Sequence, residues 1–162
     1  MLLRPIGFGA LFLALTSVAL SFVHPWGDVR RGATPGQMLE GSAVPQDVRG
    51  IVERKCADCH SNQTHWPVYS RLAPVSWLME HDVYAGRSAM NLSLWAGMDV
   101  EDRIALLARI SAEVRSGDMP PKPYAMMHAA ALSDTEKQEI AAWARAERKR
   151  IRTETSGQKE KK

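Results

Sequence analysis

The longest apolar stretch runs from Ile6 to Val23, 18 apolar or small residues without a charge, preceded by Arg4. A run of that length stands at the lower edge of what spans a bilayer core and exceeds the usual apolar region of a cleaved signal peptide. The only small-x-small cleavage site, Ser17-Val18-Ala19, would leave the apolar Leu20 to Val23 on the mature chain. Residues 1–23 therefore read as an export segment, favoured as an uncleaved anchor, with a signal peptide as the alternative. Residues 24–44 are rich in glycine and proline and show no apolar period of either kind, as a linker would.

Beyond the linker the apolar positions recur at helical spacing. Val48, Ile51, Val52 and Cys56 share one face of a helix predicted over 46–56. Pro74 is suited to the first turn of a second helix that carries Leu78, Met79 and Val83 and stops near Gly86. A third helix has Asp99 as its cap, the stripe Val100, Ile104, Leu107 and Val114, and Gly117 at its end. The fourth opens with a capping box, Ser133 and Glu136, and buries Ile140, Trp143 and Ala144. No segment alternates apolar and polar residues as a half-buried strand does, and no internal repeat is present. The fold class is all-α, with a domain at 45–146 and a solvated, disordered tail at 147–162.

Charge sharpens this division. The net +3 hides a tail, Arg145 to Lys162, with eight Lys or Arg against three Glu, a net +5 that leaves the remainder near −2. Ile151 is the tail's only large apolar residue, so it lacks the interleaved aromatics of a nucleic-acid surface. With an apolar fraction of 45%, the rest of the chain is globular in composition.

The two cysteines are the only ones in the chain and stand two residues apart, which rules out a disulfide framework. They belong to Cys56-Ala57-Asp58-Cys59-His60, a recognised attachment signature for haem of the c type. Two thiols at this spacing can each reach a vinyl group of one porphyrin, and the following imidazole then lies under the iron. A thioredoxin-like redox pair shares the cysteines but belongs to an α/β context. A zinc site built from Cys56, Cys59, His60 and His65 would need adjacent residues as tetrahedral ligands, an awkward chelate.

An electron-carrying haem takes a second axial ligand, a thioether or an imidazole. Met119 in Gly117-Asp118-Met119-Pro120-Pro121 is the leading candidate, because the two prolines can hold sulfur in a stiff loop. His128 is the rival, His65 and His81 are weaker, and Met90, Met98, Met126 and Met127 read as packing residues.

Cys59-His60-Ser61-Asn62, Thr64, Trp66-Pro67, Tyr69-Ser70, Ala73-Pro74 and Ser76-Trp77, then Asp82, Gly86-Arg87, Asn91, Ser93 and Trp95, resemble the bacterial haem-binding domain family of exported, cytochrome c-like proteins. The likeness continues through Gly117 to Pro121, Tyr124 and His128, covering about 44–146, and Phe22-Val23-His24-Pro25 is similar to the family's N-terminal stretch. His24 replaces the basic residue usual before that proline. The resemblance implies one covalent haem c in a cytochrome c-like α fold. By position it makes Trp66, Tyr69, Arg71, Trp77, Arg87, Asn91 and Trp95 candidates to line the haem or bind its propionates, against ordinary packing for the aromatics and a solvated surface for the arginines. The expected role is a monohaem electron carrier, with no enzyme machinery, serving unidentified redox proteins on the periplasmic side of the inner membrane. A haem-based gas or redox sensor is the alternative, and a peroxidase-like enzyme a third that would need an open iron.

Overall fold

A computed structural model of the chain describes residues 3–30 and 36–159, except for the side chains of 3–6 and 158–159. Residues 31–35 of the predicted linker and 160–162 of the tail lie outside the described residues. Every regular element among those described is helical: α1 (Leu3–Leu20), α2 (Gln46–Lys55), α3 (Ala57–His60), α4 (Val75–Ala89), α5 (Val100–Ser116), α6 (Lys122–Met127) and α7 (Asp134–Lys159), with 3₁₀ turns at Val68–Arg71 and Leu92–Gly97. No strand occurs among these residues, so the all-α expectation is met and a thioredoxin-like context is excluded.

The helix signals act as anticipated at most ends. Ser133 N–H donates to Glu136 Oε2 at 2.8 Å while Glu136 N–H donates to Ser133 Oγ at 3.2 Å, the reciprocal capping box that starts α7. Gly117 ends α5 with φ of 81°, a left-handed conformation that glycine adopts at little cost. Asp99 occupies the cap position of α5, but its carboxylate makes no capping hydrogen bond.

The core is one cluster: Val48, Ile51 and Val52 of α2, Leu107 and Val114 of α5, and Ile140, Trp143 and Ala144 of α7, closed by Leu92 and Trp95. Helices α5 and α7 pack along each other, and α2 crosses α7. The α3 segment is carried against α4, off to one side of this bundle.

Three boundaries differ from expectation. The tail is helical as far as Lys159, because Glu147 and Ile151 continue the stripe of Ile140 and Ala144 at helical spacing and both are buried. The linker is more than a spacer: Met38 and Leu39 enter the core, with Leu39 N–H donating to Leu92 O at 3.0 Å. The anchor is not found as a spanning element, since among the described residues no helix is long and apolar enough to cross a membrane. Helix α1 stops at Leu20, and 18 residues rise about 27 Å against about 30 Å of hydrocarbon core. Its C-terminal end is instead docked on the domain, where Ser17 Oγ donates to Ala73 O and Ala73 N–H donates to Ser21 Oγ.

Candidate haem site

Cys56 closes α2 and starts α3, so the motif is a single tight turn with Cys59 and His60 at its end. Helix α4 lies directly against this turn at Gly86, where a Cβ would stand 2.5 Å from the carbonyl oxygen of Cys59. The approach fixes the turn from behind. The carbonyl of Met90, at the end of α4, is 3.1 Å from His60 Nδ1. A carbonyl only accepts, so Nδ1 carries the proton and Nε2 is the nitrogen left for a metal.

Both cysteines are free thiols. Burial pushes Cys56 up to about 12, with the neighbouring Cys59 adding to the rise. Cys59 is also pushed up to about 12, by burial first and then by the carboxylates of Asp82 and Asp58. At neutral pH the pair is protonated, which makes it a poor redox couple of the low-pKa kind.

Cys56, Cys59 and His60 line one cavity of about 240 Å³. Its other walls are Ala85, Gly86 and Ala89 of α4, Val114 of α5, Leu132 and the loop Met119-Pro120-Pro121, with Lys55, Asp82 and Tyr124 as polar members. A smaller adjoining cavity of about 70 Å³ shares Cys56, His60, Val114 and Met119. Met119 is placed by the end of α5, since its N–H and that of Asp118 both donate to Glu113 O. These walls fit a haem. They are mostly apolar, they carry the two thiols of the attachment signature, and their nitrogen and sulfur donors are of the types that haem iron takes. Among the described residues no group of three or more His, Cys, Asp or Glu could hold a bare metal ion, so the zinc alternative lacks its ligand cluster.

His128 does not line this cavity. Its Nε2 is 3.1 Å from Tyr69 Oη, and its ring stacks on Tyr124 with centroids 4.4 Å apart. His81 packs edge-on against Trp26. Met98 packs at the margin of the core, as expected of it, and Met126 and Met127 are exposed.

None of the seven other candidate residues lines this cavity. Arg87 staples the segment after the motif, donating to Ser61 O, Val29 O and Thr64 Oγ1. Asn91 donates to Asn62 Oδ1 and accepts from Ser93 N–H, which pins the same segment to the Leu92–Gly97 turn. Trp95 is in the core. Trp66 lies under the Arg30 guanidinium, Trp77 Nε1 donates to Val23 O, Tyr69 meets His128, and Arg71 faces a separate polar recess.

Sequence reasoning missed the chemistry of Tyr124 and Asp58. Tyr124 lines the cavity and its phenol donates to Asp58 Oδ2 at 2.8 Å, linking α6 to the motif. Burial, and then the hydrogen bond to that carboxylate, raises the phenol well above the usual tyrosine range. Lys55, also in the cavity wall, donates to Ala129 O and Ala131 O and closes the side near α7. Neither link has a periodic signal, because one joins two very short helices and the other joins the end of α2 to a loop.

The comparisons with known proteins agree with this geometry. The family described as haem-binding domain matches residues 15–146, which includes every residue of the cavity wall. The chain is also similar to the cytochrome c peroxidase of Escherichia coli (strain K12), 30% identical over 112 residues that cover 65% of this chain and 24% of the relative. It thus spans about a quarter of the length of that curated relative. No solved structure matches. With a match over most of its length and a cavity of the right chemistry at its signature motif, the chain belongs to the haem-binding domain family.

Proposed function

We propose that this protein is a monohaem c-type electron carrier working on the periplasmic side of a bacterial inner membrane. The observation that carries the reading is that Cys56, Cys59, His60 and Met119 line one cavity. Cys56 and Cys59 would hold the porphyrin through thioether links, and His60 Nε2 and the Met119 sulfur would be the ligands to its iron. A haem held between imidazole and thioether supplies a one-electron couple of raised potential. Around it the protein's part is positional: Met90 O orients the imidazole, Gly86 lets α4 brace the motif, and the Met119 sulfur would be the ligand that keeps a gas or peroxide from the iron. Covalent attachment outside the cytoplasm fits an exported chain, and the partners are redox proteins that dock and depart.

A second reading draws on the likeness to a cytochrome c peroxidase. Peroxide reduction, or gas sensing, requires an iron face that Met119 leaves open. One set of measurements separates the readings. After denaturation and extraction with acidified organic solvent the haem is expected to stay with the protein. Met119→Ala is expected to lose the near-infrared sulfur-to-iron band and to bind carbon monoxide in the ferrous state, whereas Met126→Ala, at a side chain 85% exposed, retains wild-type behaviour. Haem released into the solvent overturns covalent attachment. Prompt carbon monoxide binding by the wild-type protein overturns the closed iron and favours the second reading.

A further inference from the structure

Glu80, in the middle of α4, is only 1% exposed, and its carboxylate faces the segment that follows α1. His24 Nδ1 lies 3.0 Å from one oxygen and Arg30 Nε 3.3 Å from the other. Arg30 is further committed to Ser70 O and to the face of Trp66. The Asp28 carboxylate accepts from the backbone N–H of Arg30. Arg30 and Glu80 pair their charges, and these side chains wall a polar recess of about 240 Å³.

Two groups in the recess are left over. Ser76 is 3% exposed, and its hydroxyl is buried without a hydrogen-bond partner. A buried polar group in that state costs about 1–3 kcal/mol unless something meets it. Arg71 lines the same recess, exposed at the surface end of it. Both are donors, and a guanidinium fork with a hydroxyl beside it matches the oxygens of a phosphate ester.

The rim decides which phosphate. Phe22 and Val23 lie just before His24 and Leu72 just after Arg71, and all three are exposed apolar side chains. Helix α1 leads away from the recess with Phe8, Leu11, Phe12, Leu13 and Leu15 exposed. Four of those positions share one side of the helix at 100° per residue, and the rest of its circumference over residues 7–20 carries only Gly, Ala, Val18, Leu20, Thr16 and Ser17, so this stretch has no charged face to turn to water. A helix without a charged face over these residues belongs among lipid chains.

We propose that the recess binds the phosphate of an anionic phospholipid headgroup, with Arg71 and Ser76 donating to its oxygens while α1 lies among the acyl chains. The site is independent of the haem. The full-length purified protein is tested by co-sedimentation with vesicles of phosphatidylcholine alone and of equal parts phosphatidylcholine and phosphatidylglycerol. Arg71→Lys keeps the charge but loses the fork, and Ser76→Ala changes no charge, so neither alters a general electrostatic attraction. Each is expected to weaken binding to the mixed vesicles by about tenfold. Equal binding of both variants and wild type to the mixed vesicles overturns the site. Inorganic phosphate that perturbs the Arg71 guanidinium resonance, with vesicle binding indifferent to both substitutions, assigns the recess to a free anion and overturns the lipid. If Ser76→Ala does not fold, Arg71→Lys, at an exposed side chain, carries the test.

Discussion

Gly86 sits where one added carbon would collide with the backbone of the haem motif. A Cβ there would lie 2.5 Å from Cys59 O and 2.9 Å from Cys59 Cβ, and neither atom is the end of a side chain that could swing aside. Alanine would gain about 1 kcal/mol of helix propensity in α4. Overpacking against fixed backbone costs about 1–3 kcal/mol or more and opposes that gain. Gly86→Ala is therefore expected to lower stability in urea titration and to reduce the haem carried per chain. Gly97→Ala, where a Cβ meets nothing within 4 Å, is expected to do neither. A Gly86→Ala protein with full haem content and wild-type stability would show that the close approach of α4 does not constrain the motif. The pair Gly86-Arg87 was legible in the sequence as part of a resemblance. Its reason was not, because close approach of a helix to a distant backbone leaves no local pattern, and the same holds for Met90 O orienting His60.

The helices that bury a stripe were legible as elements, and the ones that do not were missed. The Gln46 start of α2, the Gly117 end of α5 and the capping box of α7 each follow from a few neighbouring residues. Helix α6 buries no side chain, and the two 3₁₀ turns, four and six residues long, are too short for a period to emerge. The extension of α7 was readable in principle, since Glu147 and Ile151 keep the register of Ile140 and Ala144, but the charge of the tail outweighed the register. What holds that extension is a buried carboxylate. Glu147 accepts from Ser42 Oγ at 2.8 Å, from Ala43 N–H at 3.3 Å and from both sides of the Arg150 fork at 2.6 and 2.7 Å. Burial alone would raise its pKa, but the hydrogen bonds from Arg150 and Ser42 and the Arg150 charge prevail, and the net shift is downward. A carboxyl held below its unfolded value contributes stability that is present above the ordinary glutamate range and lost as pH falls through the folded value. Glu147→Gln is expected to cost about 1–3 kcal/mol at pH 7. In urea titrations taken from neutral toward acid pH, its difference from wild type is expected to shrink below about pH 4. A difference that does not change with pH would mean that the amide replaces the carboxylate without electrostatic loss.

At the scale of the whole molecule, the cavity wall and the core are one surface. Val114 belongs to both, and Cys56 lies at the edge of the core cluster while lining the cavity. Helices α5 and α7 are held to α2 by that cluster, whereas α3 reaches the bundle through Ala57, its neighbour α2, the Leu92–Gly97 turn and this shared boundary. A group that fills the cavity thus extends the bundle's interior toward α4 and the Met119 loop. At about 25 cal/mol per Å² of apolar wall withdrawn from water, the extension is worth several kcal/mol, a large part of the roughly 5–15 kcal/mol that a domain possesses. The haem-free chain, made without the attachment machinery or as Cys56→Ser with Cys59→Ser, is expected to keep helical circular dichroism from α5 and α7. Its melting temperature is expected to fall by about 10 °C or more, at roughly 2–4 °C per kcal/mol for a chain of this size. The loss is expected to concentrate where the shared boundary is, so amide exchange should accelerate in α3, α4 and the Met119 loop before it does in α5. A haem-free protein that melts within a few degrees of the loaded one, with equal protection in α3 and α5, would mean that the bundle folds without help from its cavity and that the haem is carried for its chemistry alone.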